Sequence, residues 1–120
     1  MTDLALKLTV LGSGTSTGVP VLGCHCAVCS SSEPRNNRTR CSALLEWSGH
    51  KVLIDTATDF RQQALREGIE HVDSVLYTHA HADHQGSSDF ICNALNIPLW
   101  TSELEKENAE SGNVTHEYPN

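Results

Sequence analysis

Apolar residues occupy every second position at the start of the chain, from Leu4 to Val10. A period of two residues is typical of a β-strand that buries one face. The pattern therefore predicts a strand over residues 4–11 with its apolar side turned to the core. The side chains on that side are those of Leu4, Leu6, Leu8 and Val10.

Two apolar runs, residues 43–47 and 51–55, flank Ser48–His50 and predict a β-hairpin. The polar segment Ser30–Arg40 before them predicts an exposed loop. The glycine-rich segment Gly12–Pro20 follows the first strand. Its Gly12–Gly18 part could hold a phosphate with backbone N–H groups, but it matches neither the dinucleotide fingerprint nor the P-loop, so we interpret it as a tight structural turn.

A helix is predicted from Asp59, as its N-cap, to Gly68, as its C-terminal stop. Phe60, Ala64 and Leu65 would share its apolar face, with charged residues opposite. Amphipathic spacing of this kind is typical of a helix with one buried face.

Further strands are predicted at Ser74–Thr78 and Ile97–Trp100, whereas polar, acidic Glu103–Asn120 predicts a frayed helix and a disordered tail. The element order indicates an α/β or α+β layered fold. The length suits one small domain, here residues 1–120.

The chain carries a formal net charge of −7, with 15 acidic against 8 basic residues. An acidic surface disfavours nucleic acid as a partner. The N-terminus lacks a basic start followed by a long apolar run, so we predict neither a signal peptide nor a membrane span, and a cytoplasmic location.

The strongest chemical signal is a cluster of potential metal ligands directly after the Ser74–Thr78 strand. It consists of His79, His81, Asp83 and His84. Imidazole and carboxylate groups favour Zn²⁺, with Mn²⁺ or Fe as alternatives. Neighbouring side chains of so short a loop point in different directions, so we predict two incompletely held ions that activate water for hydrolysis.

Three cysteines crowd into a second cluster, Cys24, Cys26 and Cys29. The spacing is too tight for a disulfide framework but suits thiolates around one structural Zn²⁺. His25 and Cys41 are local candidates for the fourth ligand.

Asp55 ends the hairpin, and its carboxylate could hydrogen-bond to the back of a ligand histidine, although a strand-end cap is equally plausible. Cys92 lies among apolar residues, so we predict that its side chain is buried as a small hydrophobic group. The isolated residues His50, His71 and His116 carry a low functional expectation.

The His79–His84 motif resembles the hallmark of the metallo-β-lactamase superfamily of hydrolases. Within it, the segments LGSGTSTGVP, GCHCAVC and LIDTATDFRQQALR look like the PhnP-type phosphodiesterases, which act on phosphoribosyl 1,2-cyclic phosphate. The glycine and cysteine opening is also similar to that of the cofactor-biosynthesis protein PqqB. The resemblance covers residues 4–100, which we take as the core of the domain.

The resemblance implies an αββα sandwich, of which this chain looks like an N-terminal half. It implies that His79 and His81 hold one metal, that Asp83 and His84 hold the second, and that Cys24, Cys26 and Cys29 hold a structural zinc. The family's remaining ligands come from later segments, and His116 is a weak candidate to replace one of them.

Two hypotheses follow. The first is a metal-dependent phosphodiesterase that acts on small cyclic or activated phosphodiesters through a metal-bound hydroxide, with Asp83 as metal ligand and proton acceptor. The second is a non-catalytic zinc-binding fragment of such an enzyme. A tRNA-processing nuclease is disfavoured by the acidic charge. Half of a sandwich would expose an apolar sheet face, which predicts a homodimer or pairing through that face.

Overall fold

A computed structural model of the chain describes residues 5–79, His84 and the backbone of residues 99–100. A β-hairpin precedes its one α-helix among the described residues, and two short strands follow the helix. In chain order they are β1 (Lys7–Gly12), a short 3₁₀ turn (Pro34–Asn36), β2 (Ser42–Trp47), β3 (His50–Ile54), α1 (Phe60–Glu67), β4 (Ser74–Leu76) and β5 (Leu99–Trp100).

The five strands form one mixed sheet in the order β1-β2-β3-β4-β5. The β1–β2 and β2–β3 pairs are antiparallel, and the β3–β4 and β4–β5 pairs are parallel. The carboxyl ends of β1, β3 and β4 therefore meet at one end of the sheet, together with the start of β2. We call this the site end, marked by Gly12, Ser42, Ile54 and Leu76.

The core lies on the side of the sheet that α1 covers. Leu11, Leu44, Leu53 and Val75 are each at most 3% exposed. Phe60 at the start of α1 packs against this cluster. Burial of such aliphatic side chains is the main favourable term in folding.

The strand predicted at the N-terminus is confirmed as β1, but the prediction of its buried side is wrong. Leu6, Leu8 and Val10 are 65%, 59% and 60% exposed, whereas Leu11 is 1% exposed. Leu4 lies outside the described residues. The Leu11 side faces α1, and the opposite side of β1 remains open.

The open side of the sheet is apolar across several strands. Leu8 pairs in register with Leu45, and Val10 with Ala43. Leu76 of β4 lies on the same side and is 43% exposed. We call this surface the apolar face, and we define it by Leu6, Leu8, Val10, Ala43, Leu45, Val52, Ile54 and Leu76.

The predicted hairpin is confirmed as β2 and β3, with Trp47 paired to His50. Its turn consists of Ser48 and Gly49, both at positive φ (47° and 84°). Glycine in the second position suits this tight connection. The structure thus assigns His50 to β3, whereas the sequence pattern had assigned it to the turn.

The predicted helix is confirmed as α1, and Gly68 ends it in the left-handed conformation (φ 64°). Two details of the prediction are wrong. The side chain of Asp59 forms no cap hydrogen bond and binds Arg40 instead. Leu65 is 67% exposed, and the fully buried residue of the helix is Gln63.

Gln63 is buried because its amide joins α1 to the loop before β2. The amide nitrogen donates to the hydroxyl of Thr39 (3.0 Å) and to the carbonyl of Arg40 (2.8 Å). The amide is only half satisfied, because its buried Oε1 has no hydrogen-bond partner among the described residues. Gly12 passes so close that a Cβ there would lie 2.5 Å from the same nitrogen.

The remaining elements agree in position with the sequence patterns. The strand predicted at residues 74–78 is β4, which ends earlier, at Leu76, and the last predicted strand contains β5. Residues 103–120, where a frayed and disordered tail is predicted, lie outside the described residues. Within the described part of the chain, no helix has the length and apolar character needed to cross a membrane.

Candidate metal centres

Asp55 is the centre of a buried hydrogen-bond network at the site end. It follows β3 directly, is 3% exposed and has a positive φ of 58°, a conformation that aspartate tolerates better than most residues. Its Oδ1 accepts from the backbone N–H of Thr78 (2.9 Å). Its Oδ2 lies 2.8 Å from the Thr78 hydroxyl and 2.8 Å from Nδ1 of His84. One carboxylate therefore positions both the end of β4 and a predicted ligand.

The same hydrogen-bond network orients both imidazole rings through Nδ1. The single hydroxyl proton of Thr78 is donated to Asp55, so the Thr78 oxygen accepts from Nδ1 of His79, 2.9 Å away. The Asp55 carboxylate likewise accepts the Nδ1 proton of His84. Contacts of this kind to Nδ1 fix the ring orientation of histidines that bind a metal through Nε2.

The backbone of His84 is held by the residue after Asp55. The N–H of Thr56 donates to the carbonyl of His84 (2.8 Å), and the buried hydroxyls of Thr56 and Tyr77 are 2.6 Å apart. The rings of His79 and His84 lie with their centroids 4.0 Å apart. The fold therefore brings together the first and last residues of the predicted histidine cluster.

His81 and Asp83, the two middle ligands of the predicted cluster, lie outside the described residues, as do Cys92 and His116. The metal-binding roles of His81, Asp83 and His116, and the burial of Cys92, remain predictions. Asp55, predicted as a hydrogen-bond partner of a ligand histidine, does contact His84. Sequence reasoning missed Thr78, although its position between β4 and His79 was a usable signal.

The second candidate centre is the cysteine loop. The sulfur atoms of Cys24, Cys26 and Cys29 all lie within 4.8 Å of one another. Thiolates around a tetrahedral zinc, each with a Zn–S bond of about 2.3 Å, would be about 3.8 Å apart, so a small contraction of the loop would fit the ion. Of the residues that the structure describes, neither His25 nor Cys41 joins this group.

Local hydrogen bonds shape the acidity of these thiols. The backbone N–H of Cys29 donates to Sγ of Cys26 (3.5 Å), and this contact together with the Cys24 thiol lowers the pKa of Cys26 to about 7. The N–H of Val21 donates to Sγ of Cys29 and acts to lower its pKa. Burial and the neighbouring thiols outweigh that contact, so the pKa of Cys29 is raised.

A family model matches the part of the chain that contains the histidine centre, whereas the cysteine loop precedes the matched residues. Residues 41–112 match the model described as the metallo-beta-lactamase superfamily, which is more than half of the chain. The chain belongs to the metallo-beta-lactamase superfamily.

Solved structures of superfamily members share the fold. A structure described as a new diphosphatase from the PhnP family superposes with a TM-score of 0.80 at 46% identity, covering 91% of this chain and 46% of that one. Zn²⁺-bound PqqB from Methylobacterium extorquens gives a TM-score of 0.74 at 23% identity, covering 89% of this chain and 43% of that one. The chain thus spans slightly less than half of either structure, which agrees with an N-terminal half of the fold.

A curated relative shows a higher local identity. The octanoyltransferase of Porphyromonas gingivalis is 53% identical over 85 residues, which is 70% of this chain and 17% of that protein. The similarity is therefore confined to a small part of that longer chain. The superfamily fold, the α/β class and the likeness to the PhnP branch are confirmed by these comparisons.

Proposed function

We propose that this superfamily member forms the metal-holding half of a hydrolase that cleaves small cyclic or activated phosphodiesters. One observation carries the proposal. The Asp55 carboxylate contacts Nδ1 of His84 directly and Nδ1 of His79 through the Thr78 hydroxyl, so one buried group orients both rings. Outer hydrogen bonds of this kind increase the basicity of ligand histidines and fix their geometry. The likeness to a PhnP-family diphosphatase supports chemistry at a phosphorus centre.

The donor set fits Zn²⁺, with Mn²⁺ or Fe as alternatives. His79 and His81 would hold one ion, and Asp83 and His84 a second, with Asp83 also placed to accept a proton. When bound, such ions activate water and stabilise the negative charge that develops on a phosphoryl group. The chain's own contribution is to fix the histidines before the ion arrives, since the Asp55 network consists of protein groups alone.

The cysteine loop supports a structural zinc in addition. Three sulfur atoms within 4.8 Å provide three ligands of a tetrahedral site. A closed thiolate site of this kind stabilises a loop and takes no part in the reaction. We propose that Cys24, Cys26 and Cys29 hold this ion, with the fourth ligand supplied from outside the loop.

The apolar face supports pairing with a second layer of sheet. Its residues Leu6, Leu8 and Val10 are each more than half exposed, and contiguous apolar surfaces of this kind are usually covered. Two sheets that pack face to face lie about 10 Å apart with interdigitated side chains. We expect Leu8→Lys to disrupt that pairing. Light scattering of wild type and variant would show it as a loss of association or of self-aggregation.

Hydrolysis of bis(p-nitrophenyl) phosphate tests the catalytic proposal. The 120-residue chain would be assayed with stoichiometric Zn²⁺ or Mn²⁺, beside the double variant His79→Ala/His81→Ala. His71→Ala is a matched control, because His71 is exposed and contacts only Asp73 among the described contacts. We expect the control to keep activity and the double variant to lose it.

Metal analysis of the same samples separates the two hypotheses. Activity equal to that of the double variant would show that this chain alone is not an enzyme. If one ion were then bound, and were lost in Cys24→Ser, the chain would be the non-catalytic zinc-binding fragment. Two or more ions together with activity would exclude that alternative.

A further inference from the structure

Three of the chain's eight Lys and Arg residues line one open hollow at the site end. The hollow has a volume of about 410 Å³ and lies between the glycine-rich loop and α1. Arg38, Arg40 and Arg66 line it, with Asp59 as the one carboxylate among the lining residues. Arg38 and Arg66 also line an adjoining hollow beside Gly12 of about 170 Å³.

Two of the three guanidinium groups are held in place by the protein. Arg40 donates from Nε to the carbonyl of Ser16 (2.8 Å) and from Nη1 to both oxygens of Asp59 (3.0 and 3.1 Å). Arg66 donates from Nη2 to the carbonyl of Leu11 (2.6 Å) and from Nε to the carboxylate of Glu67 (2.7 Å). Both side chains remain partly exposed, at 32% and 48%. Because these contacts already order both side chains, their remaining N–H groups would bind an anion with a smaller loss of conformational entropy than those of a free side chain.

Arg38 differs because only its backbone is engaged. Its N–H and carbonyl pair with Val19 (2.8 and 2.9 Å), which fixes the position of its Cα. Its exposed side chain has no hydrogen bond or ion pair with any residue that the structure describes. Asp59 is already paired with Arg40, so the charge of Arg38 is uncompensated, in a chain whose net charge is −7.

The backbone of the neighbouring glycine-rich loop does not provide the donors. The N–H groups of Gly14, Gly18 and Val19 donate to the carbonyls of Thr39, Thr15 and Arg38 respectively. This agrees with the interpretation of Gly12–Gly18 as a structural turn. These three N–H groups are therefore already used, and the charged donors of the hollow are the arginine side chains.

We propose that this arginine hollow binds the phosphate groups of a small phosphorylated anion, of the size of diphosphate. Guanidinium groups present paired N–H donors that match phosphate oxygens, and three in one hollow suit more than one phosphate. The acidic remainder of the chain disfavours a polymer of phosphates but leaves a small anion free to enter. The hollow shares no residue with the histidine centre, so its occupancy does not depend on metal or on hydrolysis.

Titration of the ¹⁵N-labelled 120-residue chain with inorganic diphosphate tests this site. We expect saturable shifts of the amide signals of Gly18, Arg38 and Thr39. Arg38→Gln should raise the Kd at least about tenfold, because hydrogen bonds to charged groups are the strong ones. Arg61→Gln is the matched control, since Arg61 is exposed on α1 outside the hollow and its change alters the net charge equally. Diphosphate also binds metals, so His79→Ala is included and should leave the Kd unchanged.

Each alternative result contradicts the proposal. Absence of saturable shifts in the wild-type chain would rule out the site. An equal rise in Kd for Arg61→Gln and Arg38→Gln would show attraction by net charge alone. Loss of binding in His79→Ala would place the diphosphate at the histidine centre. Arg38→Lys keeps the charge but lacks the paired N–H donors of a guanidinium group. Its Kd for diphosphate should therefore lie between those of the wild type and Arg38→Gln.

Discussion

The two candidate metal centres differ in the contacts that hold their ligand residues in place. The histidine centre is attached to the core, since buried Asp55 and Thr56 bind His84 through side chain and backbone. The cysteine loop is held by short-range contacts, such as the N–H of Cys29 to Sγ of Cys26 and the N–H of Ser30 to the carbonyl of Cys26. Cys26 is exposed, whereas Asp55 is buried.

This difference suggests two ways of making a metal site. At the histidine centre the protein positions the donors in advance, which is the requirement for chemistry at a defined geometry. At the cysteine loop the donors are close together, but the ion itself would supply most of the ordering energy, as in small structural zinc sites. Changes at the first centre should therefore affect the folded body, and changes at the second should affect only the loop.

The largest effect is expected for Asp55→Ala. The change leaves the Thr78 N–H and the His84 ring without their buried acceptor, and it places alanine at a φ of 58°. We expect the free energy of unfolding to fall by about 3 kcal/mol, measured by urea denaturation of the metal-free chain. Asp73→Ala removes a carboxylate that is 38% exposed and serves as the control. Equal losses in the two variants would show that the Asp55 network does not stabilise the fold.

Cys24→Ser should remove one bound zinc per chain and leave the sheet intact. The cysteine sulfurs form the one group of the described residues with ligand atoms so close together. Zinc content would be measured by elemental analysis, and the sheet by amide exchange of β2 and β3. Cys41→Ser is the matched control, because Cys41 is a free, exposed cysteine outside the cluster. Zinc loss in both variants, or faster exchange in β2 and β3, would contradict the separation of the two regions.

Thr78→Val should weaken metal binding at the histidine centre by about tenfold, the usual effect of losing an outer hydrogen bond to a ligand histidine. The change removes the hydroxyl that links Asp55 to His79 and keeps the side-chain shape. Metal affinity would be measured by competition with a chelating dye. Thr78→Ser should restore it. If Thr78→Val and the wild-type chain bound the metal with the same affinity, Thr78 would have no positioning role.

The smallest effect is expected at Asp73. Its carboxylate accepts from the backbone N–H of Lys51 (2.6 Å) and contacts His71, and these contacts lower its pKa. A lowered pKa in the folded state gives stability that is present above the unfolded pKa of about 4 and is lost as the pH falls below it. Asp73→Asn should therefore reduce the decline of the urea midpoint below about pH 4. An unchanged pH profile would show that these exposed contacts contribute nothing measurable.

Local patterns were sufficient for several features of the fold. The hairpin follows from two apolar runs around Ser48–Gly49, and the end of α1 follows from Gly68, because turns and caps depend on a few adjacent residues. The two metal-ligand clusters were visible because their residues are close in sequence. Asp55 was found because it ends the second strand of the predicted hairpin, and the ligand histidines follow the end of another predicted strand.

Other features depend on residues far apart in the chain. The position of Thr78 before His79 is visible in the sequence, but its contact with Asp55 is not. Asp59 does lie at the predicted N-cap position, but its side chain binds Arg40, 19 residues away, and not the helix N-terminus. The arginine hollow likewise joins the loop before β2 to the last turn of α1. A local sequence pattern does not show which residues far apart in the chain come into contact.

The sequence by itself determined the strands, the helix, the family motif and the two sets of candidate ligands, because each depends on short-range order. Only the tertiary structure decided which side of β1 is buried and which groups orient His79 and His84. Alternation shows that a strand has two faces, but Leu11 and Val10 are both apolar, so the packing of α1 makes the choice. Similarly, the orientation of a histidine ring is determined by the partner of its Nδ1, and Asp55 and Thr78 become those partners only when β3 and β4 pair.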